Sequence, residues 1–335
     1  MTSSTSVRLA RRPVGFIDAD DFTFATDEVP SPGPGQFVVR VMLISLDASM
    51  RIWMDEVPSY LPPVGLGDVM RAVAVGEVVA SAHPRFTEGT FVLGMFGVQE
   101  YALSDGRDVS KIDTSLGTPS MHLGVLGTNG LTAYFGLFDH GRARAGDTVL
   151  VSAAAGSVGA IAGQLAAIAG CHAVGVAGGR AKCRYVTEEL GFHAAVDYKE
   201  PGMKEAIREA CPRRVDVYFD NVGGEVLVAA LANLAMNARI VLCGAISQYN
   251  ADTRTPGPYN YANMLVQRAT MGGFIVFDHA AQYKVARTRL ARWVAEGRIV
   301  APETIAKGSV TDFRATLQRL FSGDSLGKLV LDISG

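Results

Sequence analysis

The chain has 335 residues, of which 48% are hydrophobic and 19% charged, and a formal net charge of −2. Such a chain can bury full cores in two domains and is not of the disordered class. Its slight acidity speaks against a nucleic-acid footprint, and no apolar run is long enough to span a bilayer.

Residues 1 to about 125 read as β-rich. The first segment, MTSSTSVRLARRP, carries charge without a following apolar stretch, so no secretory signal is expected. After the turn signals of Pro30 to Gly35, Gln36 to Ser45 is strand-like, followed by Ala72 to Ala80, Thr90 to Leu93 and Gln99 to Leu103. Short strands punctuated by Gly and Pro predict a barrel-like domain. Between two of them lies Leu46 to Met54, then Ser59-Tyr60-Leu61-Pro62-Pro63. Met50, Trp53 and Met54 either wall a pocket or pack beneath a loop.

Near Gly124 the pattern changes, and Leu126 to Leu137 reads as helix. Thr148 to Ser152 is an apolar strand, followed by the turn Ala154-Ala155-Gly156-Ser157-Val158-Gly159, a helix to Ala169 and a strand from His172 to Ala177. This is the order of a nucleotide-binding βαβ unit. Gly156 would admit a pyrophosphate to the backbone, and Gly159 would let helix and strand approach. Ala154 takes the place of the first glycine, so the bare pattern also suits a helix merely packed on a sheet.

No carboxylate ends the second strand. Arg180 and Lys182 follow instead, which favours a 2′-phosphate over a bare ribose hydroxyl and predicts NADP(H); a solvated helix start is the other reading. Helix and strand then alternate: Pro201 to Cys211, Val215 to Asp220, Glu225 to Leu234, Arg239 to Cys243, a strand at Met271 to Phe277, a helix from His279 to Glu296, a helix from Thr311 to Phe321 and a last strand from Lys328 to Ile333. That alternation implies a parallel sheet with right-handed crossovers, its ligands beyond the carboxyl ends of the strands. The tail is expected to return to the first domain and close its sheet.

Cys171, Cys183, Cys211 and Cys243 form no C-x-x-C pair, which predicts a reducing, cytoplasmic setting. No metal is expected: a catalytic zinc needs three ligands around an open position, and His83, His122 and His140 read as separate surface or loop histidines.

With these elements in place, the chain resembles the zinc-free medium-chain reductases, in the branch of prostaglandin reductases, leukotriene dehydrogenases and double-bond reductases. The carriers are Ser59-Tyr60-x-Pro62-Pro63, Gly76-Glu77-Val78-Val79, Gly130 to Leu137, Ala153 to Gly159, Phe219 to Gly224, Cys243 to Asn250 and Gly327-Lys328. The resemblance implies an α/β fold: a GroES-like β-barrel catalytic domain over 1–125, completed by 300–335, and a Rossmann doubly wound parallel sheet over 126–299. It also implies a homodimer and a small-molecule α,β-unsaturated carbonyl substrate.

Carried over by motif, Gly156, Ser157, Val158 and Gly159 would hold the pyrophosphate, and Lys182 and Tyr198 the 2′-phosphate. Asn221, Cys243, Gly244, Ala245, Ile246, Ser247, Tyr249, Phe274, Ile275 and Val276 would line ribose and nicotinamide. Ser325 stands where the family tends to have a cofactor-side asparagine. Ser49, Arg51, Trp53 and Tyr60 are the substrate-pocket candidates. Here the chain departs from the family, since Asp47-Ala48-Ser49-Met50-Arg51 replaces Asp-Pro-Tyr-Met-Arg. The expected reaction is NADPH-dependent reduction of a C=C bond, with Tyr249 donating to the developing enolate. Quinone reduction, alcohol oxidation and non-catalytic NADPH binding remain as alternatives.

Overall fold

In the computed structural model, which describes residues 3–253 and 256–335, the chain divides into two units. One runs to Leu123 and includes Glu303–Gly335; the other is Gly124–Pro302. The first begins with β1 (Ser3–Leu9), β2 (Phe22–Glu28), β3 (Phe37–Leu46), β4 (Ala74–Ser81), β5 (Phe91–Gly94), β6 (Tyr101–Ser104) and β7 (Ser110–Lys111). β1 and β2 pair antiparallel, a ribbon the sequence reading missed. Their Ser- and Thr-rich alternation buries Val7 and Leu9 while leaving much of β2 exposed, so hydropathy alone gives a weak signal. The expected loop from Leu46 to Met54 contains a one-turn helix, Ser49–Trp53. Of the two readings for its methionines, core packing holds: Met50 and Met54 are fully buried.

The second unit contains β8 (Thr148–Ser152), β9 (His172–Ala177), β10 (Ala194–Asp197), β11 (Val215–Asp220), β12 (Leu234–Leu242) and β13 (Thr270–Gly273), all parallel in the order β10-β9-β8-β11-β12-β13. The order reverses at β8, the switch point outside which open parallel sheets bind their ligands. Every residue of β8 is buried. A strand covered on both faces needs an unbroken apolar run, and each large aliphatic side chain so buried contributes about 1.5–3 kcal/mol. The helix Ser157–Ile168 lies close on this sheet because Gly159 abuts the Ala153 carbonyl and Gly163 the Phe192 ring.

One expected strand is shorter than its sequence suggests. Met271 to Phe277 reads as a strand, yet β13 stops at Gly273. Among the described residues its ladder partner is β12, whose last paired residue is Leu242, opposite Gly273. Beyond that point no ladder remains, so Phe274 and Ile275 leave the sheet and Val276–Gln282 coils into a 3-10 turn. The following α-helix accordingly starts at Tyr283, not His279, and runs to Ala295.

β14 (Glu303–Lys307) and β15 (Lys328–Asp332) bring the tail back to the first unit. β3 pairs with β4 along one edge; its other edge is shared by β6 at Phe37–Arg40 and β15 at Leu43–Leu46. Phe37, Ile44, Leu46, Phe313 and Leu329 lie in the core beneath this sheet. Among the described residues no helix is long and apolar enough to cross a membrane.

Candidate active site

The phosphate turn is built from backbone. Ala153 adopts φ of 49°, a left-handed conformation costly for a residue with a Cβ, and turns the chain sharply at the end of β8. Gly156 N–H donates to the Ala153 carbonyl at 2.9 Å, and Gly156 then caps the helix Ser157–Ile168 without any side-chain hydrogen bond to its first turn. An uncapped helix start presents N–H donors and the positive end of the dipole. The turn therefore fits a pyrophosphate, for which Ser157, Val158 and Gly159 would supply the donors.

A second anion-favouring feature lies past β9. The helix Arg180–Glu188 carries Arg180, Lys182 and Arg184 near its start and no acid in its first turn. Cations there oppose the helix dipole, an arrangement that a bound anion would relieve. Tyr198 leans over Gly178, where a side chain would meet its ring at 2.8 Å. The sequence has no acid at the end of β9 itself; the structure supplies Asp197 from β10. Its Oδ1 accepts the Gly179 N–H at 2.7 Å and the Lys199 N–H at 3.0 Å, so the carboxylate shapes the turn. The signal was there in the register, because Asp197 pairs with Ala177, the last residue of β9.

Asp220, at the end of β11, organises the loops at the carboxyl ends of β8, β11 and β12. It is fully buried, and its Oδ1 accepts from the Tyr218 hydroxyl at 2.7 Å, the Ser152 hydroxyl at 3.1 Å and the Val222 and Gly223 N–H groups at 2.9 Å each. Its backbone carbonyl accepts the N–H groups of Cys243 and Gly244. Asn221 donates its backbone N–H to Ser152 Oγ and its side-chain amide to the Ser152 carbonyl, at 2.8 and 2.7 Å. Three loops are thereby tied at one point. Burial, reinforced by the charge of Asp220, pushes the Cys243 thiol up to about 12, so it stays protonated.

The loop after Cys243 folds back on these residues. Ile246 N–H donates to the Asn221 carbonyl, while the Ser247 N–H and hydroxyl both donate to that of Val222. Tyr249 closes the short helix Ile246–Tyr249, and its hydroxyl oxygen accepts the Ala245 N–H at 3.1 Å. That bond occupies one lone pair of the hydroxyl oxygen. Phe274 follows β13 and stacks on His140, 4.6 Å between centroids. Ile275 extends the same segment, and Val276 is buried at its end.

In the first unit the predicted pocket residues separate by role. Arg51 is 3% exposed; it donates to the carbonyls of Pro13 and Gly15 at 3.1 Å each and meets Asp55 at 2.6 Å. Its guanidinium thus fastens the segment 13–15. Trp53 is buried, donates its indole N–H to the Tyr60 hydroxyl at 3.2 Å and lies under the Arg71 guanidinium. Tyr60 is exposed, and Ser49 is half-buried at the start of its helix. Lys328, missed by sequence reading as a site-supporting residue, is 2% exposed and donates to the Leu46 carbonyl at 2.9 Å and to Asp47 at 2.6 Å, anchoring the loop that leads to Ser49. Ser325 lies half-buried just before β15.

Of the three histidines expected at the surface or in loops, one is in the interior and one has a distant partner. His122 is buried, with Nε2 3.2 Å from the Asp113 carbonyl, and His140 is paired with His279. Short-range sequence cannot reveal partners 139 residues away. Among the described residues no cluster of three or more His, Cys, Asp or Glu side chains is arranged to hold a metal ion.

Residues 5–112 match the family described as the N-terminal domain of oxidoreductase, and 157–292 that described as zinc-binding dehydrogenase. The chain is 41% identical to the NADPH-dependent curcumin reductase of Escherichia coli strain K12 over 98% of this chain and 96% of that one. It is 35% identical to prostaglandin reductase 1 of Mus musculus, with 99% of each covered. A crystal structure of CurA from Vibrio vulnificus in complex with NADPH superposes with a TM-score of 0.94 at 37% identity, again over 99% of each chain. The chain therefore belongs to the zinc-independent medium-chain dehydrogenase/reductase family, in the branch of the curcumin and prostaglandin reductases.

Proposed function

We propose that this protein is an NADP(H)-dependent oxidoreductase that reduces the C=C bond of a small α,β-unsaturated carbonyl compound. Relatives whose names specify NADPH support the cofactor, as do the uncapped helix at Gly156 and the cationic start of the helix Arg180–Glu188. NADPH, when bound, supplies the hydride for the β-carbon. The chain's task is to receive the charge that develops on the carbonyl oxygen, and a preorganised donor there lowers the barrier. Tyr249 takes that role: the Ala245 N–H, 3.1 Å from its oxygen, fixes the hydroxyl within the loop that follows Cys243. This bond is the observation that carries the reading. Ser157 to Gly159 hold the pyrophosphate, Lys182 and Tyr198 the 2′-phosphate, and Trp53, Tyr60 and Ser49 contact the substrate, with Arg51 supporting their loop.

Deuterium transfer from C4-labelled NADPH tests the reaction. Label recovered on the β-carbon of an enone is the expected result; label lost to solvent, or NADPH bound without consumption across enones and quinones, would overturn it.

The protein is further read as a cytoplasmic homodimer. Four free cysteines suit a reducing compartment. An exposed edge strand, β13, adjoins the segment where Tyr259, Tyr261 and Leu265 are 81%, 68% and 83% exposed, which supports self-association through this edge. Sedimentation of the wild type against Leu265→Glu decides; a wild-type monomer would exclude it.

A further inference from the structure

His140 and His279 meet behind Phe274. His140 ends the π-helical turn Gly136–His140, which continues the helix Thr128–Phe135; His279 lies on Val276–Gln282, the continuation of the Phe274 segment. Their Nε2 atoms are 3.0 Å apart. The His140 ring stacks on Phe274 with 24° between planes, and the His279 ring stacks on Phe135 at 4.4 Å and 12°. Gly136 makes room, since a side chain there would meet the Phe219 and Phe274 rings at 2.6 and 2.7 Å. Two stacks and one hydrogen bond thus fasten the segment after β13, which has left its ladder, to a helix of the same unit.

A hydrogen bond between two imidazole nitrogens requires one bare and one protonated atom. One bridging proton completes the pair, with both rings neutral or one of them cationic; protonating both rings sets N–H against N–H and adds like-charge repulsion. The surrounding charges are Asp139, whose Oδ2 is 3.5 Å from His279 Nδ1, and Asp278, with Tyr283 and Arg287 on the following helix. Burial first, then the charge of His279, hold His140 below the ordinary imidazole range, against the pull of Asp139 and Asp278. A depressed imidazole keeps its contribution above the unperturbed value and loses it as pH falls through the depressed one.

We propose that His140 and His279 are positioning residues, a single-proton clip that holds Phe274 and the segment behind it in place for the nicotinamide and lets go on acidification. This rests on the reading above that Phe274 to Val276 line the nicotinamide. It adds a pH dependence specific to the nicotinamide half of the cofactor, because the cations at Arg180 and Lys182 belong to another loop.

The test compares affinities of the whole protein for NADPH, by ligand fluorescence, and for 2′-phospho-ADP-ribose, which lacks only the nicotinamide, by calorimetry, between about pH 5 and pH 8, the range over which imidazoles titrate. Both ligands carry the 2′-phosphate and the pyrophosphate, so the ionisation of these groups cancels in the ratio of affinities. In the wild type the ratio should hold at neutral pH and fall about tenfold at the acid end. His279→Gln places an amide where Nε2 stood, keeps the bond without titrating and should flatten the profile. His279→Phe keeps the stack on Phe135 but loses the bond, and its ratio should be low throughout. A pH-independent wild-type ratio, the same acid limb in His279→Gln, or a normal neutral ratio in His279→Phe would each overturn the clip; if His279→Phe does not fold, the glutamine comparison still decides. Failure to reduce any enone at neutral pH would instead sink the proposed reaction and leave these binding ratios readable.

Discussion

The Tyr218 hydroxyl donates to Asp220 Oδ1 across 2.7 Å inside the parallel sheet, and both side chains are fully buried. The same oxygen serves Ser152 and the turn at Val222 and Gly223, whereas Oδ2 has no partner among the described residues. Burial and the neighbouring carboxylate raise the Tyr218 phenol well above its usual range, so the hydroxyl remains a donor. Asp220→Ala strands four buried donors. It should lower unfolding stability by about 3 kcal/mol or more in urea titrations, with Asp220→Asn losing less because one acceptor oxygen survives. Equal losses in the two variants would show that the hydrogen bonds at Oδ1 are not what holds these loops.

Gly159→Ala places a methyl group against the Ala153 carbonyl, which cannot retreat because Ala153 already forms the sharp end of β8. Helix and strand must part, and the donors for the pyrophosphate move with the helix. An affinity for NADPH at least about tenfold weaker is expected, equivalent to about 1.4 kcal/mol. Isothermal calorimetry giving wild-type affinity would remove this turn from the cofactor site.

Lys182→Ala removes one of the cations at the start of the helix Arg180–Glu188. NADPH affinity should fall about tenfold while NADH affinity stays level, since the unphosphorylated ribose gives that cation no anion to meet. The loss should shrink at high salt, where exposed charges are screened. A parallel loss for both dinucleotides would place Lys182 elsewhere in the binding scheme.

Tyr249→Phe deletes the hydroxyl but keeps the ring. If that hydroxyl stabilises the developing enolate, kcat for enone reduction should drop by about 10²-fold with NADPH affinity unchanged. The Ala245 N–H also loses its acceptor, so circular dichroism and NADPH titration must accompany the rate. Unchanged turnover would exclude Tyr249 from the chemistry.

Much of the second unit could be read directly from residue order. Thr148–Ser152, His172–Ala177 and Val215–Asp220 are strands over the ranges their apolar runs suggest, because a strand buried on both faces admits little else. The small residues from Ala153 to Gly159 and the cations after β9 are local signals as well, since each acts through its own backbone turn or helix start. What eluded sequence reading depends on partners far along the chain. The β1–β2 ribbon has too little apolar alternation to announce itself. Phe274 leaves the sheet because β12 ends its ladder at Leu242, and Asp197 reaches the β9 turn through register. Asp220 looks like one more strand residue until four donors converge on it, and Arg51 and Lys328 look like open cations until burial turns them into fasteners. His140 and His279 are unremarkable apart. Sequence by itself determined the elements and the backbone sites, whose causes lie within a few residues. Tertiary structure alone decided which polar groups are buried together, because hydrogen bonding and desolvation depend on distance in space.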